Sequence, residues 1–145
     1  MYNEILDLGK GLRGNVASML AAFVAVVAIL LPFAVAYAAS SPYSFTMQYS
    51  VIDGCSNGAF HTLAAGPAKL TGSAYAGTSN LPISYNLQRE VFGPNPSYGS
   101  VNGGINTSFS NLAFSSVPAN SNFCLVISRN GYDAWTVNGS GTLHN

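Results

Sequence analysis

Charge is what this sequence has least of. Asp, Glu, Lys and Arg make up 7% of its 145 residues, five of each sign, where a soluble domain usually carries about a quarter. So even a balance leaves no basic patch, which argues against a nucleic-acid partner. Cysteine is nearly as scarce, with Cys55 and Cys124 alone. Two cysteines make a poor zinc site, and neither His61 nor His144 stands at ligand spacing from them; no metal and no cofactor is expected. There is no internal repeat, and beyond residue 42 no long amphipathic helical pattern.

The charges that exist are unevenly placed. Residues 15–41 carry none, directly after Lys10 and Arg13. As a helix, residues 15–39 measure roughly 37 Å at 1.5 Å per residue, longer than the roughly 30 Å hydrocarbon core. Their Val, Leu, Ile and Phe side chains favour insertion by roughly 3–7 kcal/mol. Ser18 is tolerated through a bond back to the helix, and Pro32 predicts a kink in the outer half. Lys10 and Arg13 keep residues 1–14 cytoplasmic as a leader, so that everything after about residue 40 faces outward. The run is longer than the apolar core of a secretory signal, yet Ala36-Tyr37-Ala38 satisfies the small-residue rule for cleavage, with Ala39 as the new N-terminus. A removed signal, a retained anchor and a filament-packing helix all fit.

The segment "LRGNVASMLAAFVAVVAILLPFAVAYA" resembles the N-terminus of type IV pilin-like proteins, closest to the tight-adherence (Tad) minor pilins and pseudopilins. The resemblance implies peptidase cleavage after Gly14, a mature N-terminus at Asn15, and a helix that later leaves lipid for a filament core, where small residues allow close packing. The fifth position after that cut is Met19, where many pilins carry glutamate.

From Pro42 onward the chain turns to Ser, Asn, Gly, Thr and Tyr. Residues 43–51 alternate cleanly, placing Tyr43, Phe45, Met47, Tyr49 and Val51 on one face of a half-buried strand. Residues 68–76 and 82–92 predict further strands, the second with Ile83, Tyr85, Leu87 and Val91 on one side. Residues 105–117 predict one or two more, ended by Pro118. Asn130-Gly131 predicts a two-residue type I′ hairpin, which pairs Arg129 with Tyr132, Val126 with Trp135 and Cys124 with Val137. Cys124, Val126, Trp135 and Val137 then share a core patch. Residues 92–104 read as a long loop. Strands at this spacing suggest an antiparallel β-sandwich over residues 42–145, behind an N-terminal hydrophobic helix. An even cysteine pair in the outward part predicts a Cys55–Cys124 disulfide.

Candidate chemistry is sparse. "GCSNG", residues 54–58, matches the G-x-S-x-G nucleophile pattern at Ser56, with His61 or His144 as base and Asp53 or Asp133 as orienter. The strand–turn–helix context that pattern needs is missing, and no catalytic site is predicted. Asp53 and Asn57 lack the spaced acidic ligands of a calcium loop. Asn106 and Asn138 stand in glycosylation sequons. Tyr75, Tyr85, Tyr98 and Tyr132 offer either a sugar- or partner-binding platform or ordinary strand-face packing. The expectation is a structural cell-surface protein whose partners are the lipid bilayer or copies of itself. A secreted or anchored module binding glycan or protein is the alternative, with an esterase a distant third.

Overall fold

Apolar residues alternate with hydroxyl-bearing ones from Ser40 onward, and the period of two produces strands. The computed structural model describes residues 39–131 and 133–145. The leader, the apolar segment with processing positions Gly14, Asn15 and Ala38, and Tyr132 lie outside the described residues. Ala39 lies within them, its carbonyl accepting the Asn145 N–H at 3.2 Å. The described residues contain no helix long and apolar enough to cross a membrane.

Among the described residues nine strands follow in order: β1 Ser40–Met47, β2 Val51–Asp53, β3 His61–Leu63, β4 Gly66–Tyr75, β5 Ile83–Arg89, β6 Ser97–Gly103, β7 Thr107–Val117, β8 Asn120–Arg129 and β9 Val137–His144. They form a four-stranded sheet in the order β1-β9-β4-β7 and a five-stranded sheet in the order β2-β8-β5-β6, with β3 also on β8. Every pairing is antiparallel. The two inner faces meet in one core, which gives the expected all-β, disulfide-linked sandwich-like body. Register places Ser40, Lys69 and His144 at one end, and Met47, Tyr75 and Val137 at the other.

The five-stranded sheet contributes Ile83, Tyr85 and Leu87 from β5, and Phe123, Leu125 and Ile127 from β8, all buried. The four-stranded sheet contributes Leu70, Leu143 and Val137, but beside them its inner face carries glycines. Tyr43 pairs with Gly141, which pairs with Gly72, and the Tyr43 hydroxyl sits where a Gly72 side chain would be. One strand pair along, Phe45 covers Gly139. The rings of the edge strand thus fill space that the inner strands leave open. Tyr85 from the opposite sheet closes the cluster, its ring 6.2 Å from Tyr43, 6.1 Å from Phe45 and 5.5 Å from Phe109, in edge or tilted contact, the geometry aromatic quadrupoles favour. Burial pushes the Tyr43 phenol up to about 12 and raises that of Tyr85 as well.

Four sequence expectations are corrected. The first strand ends at Met47, not at Val51: residues 48–50 carry the chain to the other sheet, leaving Tyr49 75% and Val51 55% exposed. Val91 lies past the end of β5. The loop expected over residues 92–104 is strand from Ser97, because Tyr98 and Val101 pack on the core while their neighbours face out. The Asn130-Gly131 hairpin does not form. Gly131 has φ 112° but Asn130 does not adopt positive φ, and β8 and β9 lie in different sheets. The described residues between β8 and β9 instead make a corner between sheets. Arg129, with its side chain fully buried, holds Asp133 at 2.7 Å there, and Ala134 takes φ 62°. Consequently Phe123, Leu125 and Ile127 of β8 face the core, and Trp135 is 45% exposed.

The disulfide forms as expected. Cys55 and Cys124 are joined with Cα atoms 5.2 Å apart and 69 positions apart in sequence. Closing such a loop restricts the unfolded chain by roughly 4 kcal/mol.

Candidate functional site

Strands alternate their side chains between faces, so the pattern that buries Leu70 and Ala74 of β4 turns Ser73 and Tyr75 outward. The same rule exposes Ser44 and Thr46 of β1, and Asn138 and Ser140 of β9. Register then aligns them. Ser44 lies opposite Ser140, Ser140 opposite Ser73, and Ser73 opposite Ser108, so that four hydroxyls cross the sheet in one row at roughly 4.8 Å intervals. A second row runs Thr46, Asn138, Tyr75. Where these rows meet the loop before β7 there is an open cleft of about 500 Å³, lined by Ser73, Ser108 and Ser140 of the first row, by Tyr75 and Asn138 of the second, and by Asn106 and Thr107.

Asn106 builds the wall. Its backbone sits at φ 58°, a left-handed conformation that asparagine tolerates. Its Nδ2 donates to the Gly77 carbonyl at 2.8 Å and to the Ser79 carbonyl at 3.3 Å, and its Oδ1 accepts the Ala76 N–H at 3.2 Å. Gly77, at φ 55°, lies directly beneath the Trp135 ring, leaving no room for a side chain. This sequon asparagine is therefore engaged in fixing residues 76–79, and a glycan on Nδ2 would cost at least one of the two donated bonds. Asn138, the other sequon, is exposed and only accepts, from Thr46 Oγ1 at 2.8 Å.

The rest of the cleft is open. The side chains of Ser73, Tyr75, Ser108 and Ser140 make no hydrogen bond among the described residues, and Asn138 Nδ2 makes none. Tyr75 is 65% exposed. None of the lining residues is charged. Of the described tyrosines proposed as a platform, Tyr75 alone takes that position in the cleft; Tyr132 lies outside the described residues. Tyr85 is fully buried, and Tyr98 packs edge-on against Phe123 at 5.4 Å.

The G-x-S-x-G residues occupy a turn beside the disulfide. Ser56 Oγ donates to Asp53 Oδ2 at 2.8 Å, and Ser56 N–H donates to Asp53 Oδ1 at 3.2 Å. These bonds, the hydroxyl first, hold the Asp53 carboxyl below its ordinary value. Neither histidine bonds to Ser56. His61 Nδ1 lies 3.0 Å from Ser41 Oγ, joining β3 to β1 across the seam between the sheets. His144 Nε2 lies 3.3 Å from Thr71 Oγ1. Asp133 is bound into the corner with Arg129. A second cavity of about 280 Å³ opens at the seam beside His61, lined by Phe45, Ile52 and Leu125. Among the described residues no group of His, Cys, Asp or Glu could hold a metal ion.

The serine row was not anticipated from sequence. Its signal is faint: hydroxyl residues at every second position of β4 and β9, which read equally as the polar half of any alternating strand.

No protein-family model matches this chain, and no curated protein sequence does. Among solved structures, the crystal structure of the Yersinia pseudotuberculosis-derived mitogen (YPM) is similar at 18% identity, over 72% of this chain and 83% of that one, with a TM-score of 0.36.

Proposed function

We propose that this chain is a structural cell-surface protein. The apolar residues 15–39 anchor it in the membrane or pack it into a pilin-like filament, and the β body stands outside the cytoplasm. The observation that carries this reading is the Cys55–Cys124 disulfide, because such bonds persist in oxidising compartments and are rare in the cytosol. The outward direction set by Lys10 and Arg13 agrees with it. A surface poor in charge also suits side-by-side packing of copies, since few ions must be desolvated at the contacts.

The test is the intact mass of native material, with electron microscopy of the shed fraction. A mature N-terminus at Asn15 together with filaments supports the pilin-like form; an uncut chain in the membrane supports the plain anchor. A cytoplasmic protein with both thiols free overturns the reading. Cleavage after Ala38 leaves a secreted protein and shifts the weight to a second reading, a module that binds glycan or protein as a monomer. The specific observation favouring that second reading is the set of unpartnered polar groups in the cleft between β4, β7 and β9.

A further inference from the structure

The geometry points to a neutral-glycan site in the cleft between β4, β7 and β9, with Tyr75 as the stacking platform and Ser73, Ser108, Ser140 and Asn138 as the hydrogen-bonding floor. This deepens the binding-module reading and rests on it; it does not depend on how the N-terminus is processed.

Four observations converge. First, the floor is flat and regular. Ser140, Ser73 and Ser108 are direct cross-strand neighbours on three adjacent strands, which makes a row of hydroxyls rather than a pit. Each hydroxyl both donates and accepts, as a sugar hydroxyl does, so either partner can rotate to suit the other. Second, these groups have no internal partners. The amide Nδ2 of Asn138 is likewise available, while its Oδ1 is held by Thr46, which orients the amide with its donor side free. Third, Tyr75 stands directly opposite Asn138 in register and is 65% exposed. An aromatic face is electron-rich and suits the C–H face of a pyranose ring, whose hydroxyls then project sideways toward the floor. Fourth, the wall is prebuilt. Asn106 and the Gly77–Trp135 contact fix residues 76–79 before any ligand arrives, so less ordering is lost on binding.

Other ligand classes fit less well. The lining carries no charge, so nothing in it selects a phosphate, an acidic polysaccharide or a nucleic acid. An apolar ligand would bury the serine hydroxyls without partners, which is costly. The volume of about 500 Å³ lies inside the range of about 300–1,000 Å³ that small-ligand sites occupy. The cleft also sits at the end of the sheet away from Ser40.

The experiment uses purified full-length protein in a detergent without a sugar headgroup, passed over immobilised cellohexaose, maltohexaose and chitohexaose, with a heparin hexasaccharide as the acidic control. At least one neutral oligosaccharide is expected to retain the protein, with an affinity that changes little between about 0.1 and about 0.5 M salt. Tyr75→Ala, whose side chain lies outside the core, is expected to keep its thermal midpoint and to lose at least about tenfold in affinity. Ser73→Ala is expected to lose a few-fold. Tyr49→Ser, on the exposed loop between β1 and β2, is expected to bind as wild type. Neutral-glycan binding that survives Tyr75→Ala, or retention on heparin alone, overturns the cleft assignment while leaving a glycan-binding module standing. Retention on no column overturns both.

Discussion

Each sheet presents a buried face to the other, but the two faces are filled differently. The five-stranded sheet fills its own with large side chains at successive inward positions: Ile83, Tyr85 and Leu87 on β5, and Phe123, Leu125 and Ile127 on β8. The four-stranded sheet has Gly72, Gly139 and Gly141 at inward positions, and lets Tyr43 and Phe45 of its edge strand lie across them. The outer faces differ in the opposite sense. On the five-stranded sheet, Asn86 Nδ2 donates to Ser97 Oγ at 2.9 Å, Ser100 Oγ at 2.7 Å and the Gly99 carbonyl at 3.3 Å. On the four-stranded sheet the serine row has no such bonds. One sheet carries the disulfide, the larger inward side chains and a tied-down exterior; the other is thin inside and open outside. A small domain with limited core has reason to concentrate its cross-link in one layer, and the other layer is then free to serve as a surface.

The largest expected effect is on the cross-linked side. A Cys55→Ala/Cys124→Ala double variant loses the constraint on a 69-residue separation, and its unfolding free energy should fall by roughly 4 kcal/mol in the chain-entropy account. Urea denaturation of wild-type and variant protein measures this. A loss near zero would mean the five-stranded sheet does not depend on its cross-link.

Next is the glycine layer of the other sheet. A Cβ on Gly141 would collide with the Thr71 carbonyl and the Gly72 Cα, both backbone, so relief requires strands β4 and β9 to separate. Gly141→Ala should therefore destabilise by about 1–3 kcal/mol, the usual cost of overpacking. A Cβ on Gly72 meets the Tyr43 hydroxyl as well as the Ser140 carbonyl. Tyr43→Phe in the Gly72→Ala background should accordingly recover part of the loss, a coupling readable in a double-mutant cycle. If the two substitutions are additive, the ring does not occupy that space.

These two regions also mark what the residues alone disclose. Alternation identified β1, β4, β5 and β7, because each carries large apolar residues against hydroxyl neighbours, and the even cysteine count identified the disulfide, because Cys55 and Cys124 have one partner each. It failed where pairing decides. The glycines of β9 carry no hydrophobic signal, so Asn130-Gly131 read as a hairpin, although Arg129 and Asp133 lock a corner and β9 joins the sheet that needs thin positions beneath Tyr43 and Phe45. β6 was obscured by Gly99 and by the serines and asparagine around Tyr98 and Val101. The cleft was the least legible part. Ser44, Ser73, Ser108 and Ser140 come from four strands distant in sequence, and only register makes them neighbours.

The seam between the sheets is expected to respond to pH. His61 is buried, and burial lowers its pKa from the ordinary 6.5. The unfolded chain then binds the proton more readily than the folded one, so stability is complete above about pH 6.5 and declines as pH falls toward the folded-state value. Wild-type urea midpoints should drop between pH 7.5 and pH 5, and His61→Gln should flatten that slope while leaving the disulfide intact. The carboxylates of Asp53 and Asp133, both lowered, add their losses only at more acid pH. A slope unchanged by His61→Gln would place the sensitivity elsewhere.

The smallest effect is the sharpest contrast between the exteriors. Asn86→Ala removes two N–H donors shared among three acceptors on the five-stranded sheet, but it also removes a buried Oδ1 that has no partner. The two changes oppose each other, and a net loss of about 0.5–1 kcal/mol is expected. Ser73→Ala removes a side chain that is exposed and bonded to nothing on the four-stranded sheet, so its stability should stay within about 0.5 kcal/mol of wild type. Chemical denaturation resolves the pair if both are measured against the same wild-type curve with a common slope. Equal effects, in either direction, would mean that the serine row contributes to the fold as much as the asparagine cluster does. A difference in the stated sense would leave Ser73 with no part in holding the sheet together, although it is a member of a row of aligned hydroxyls.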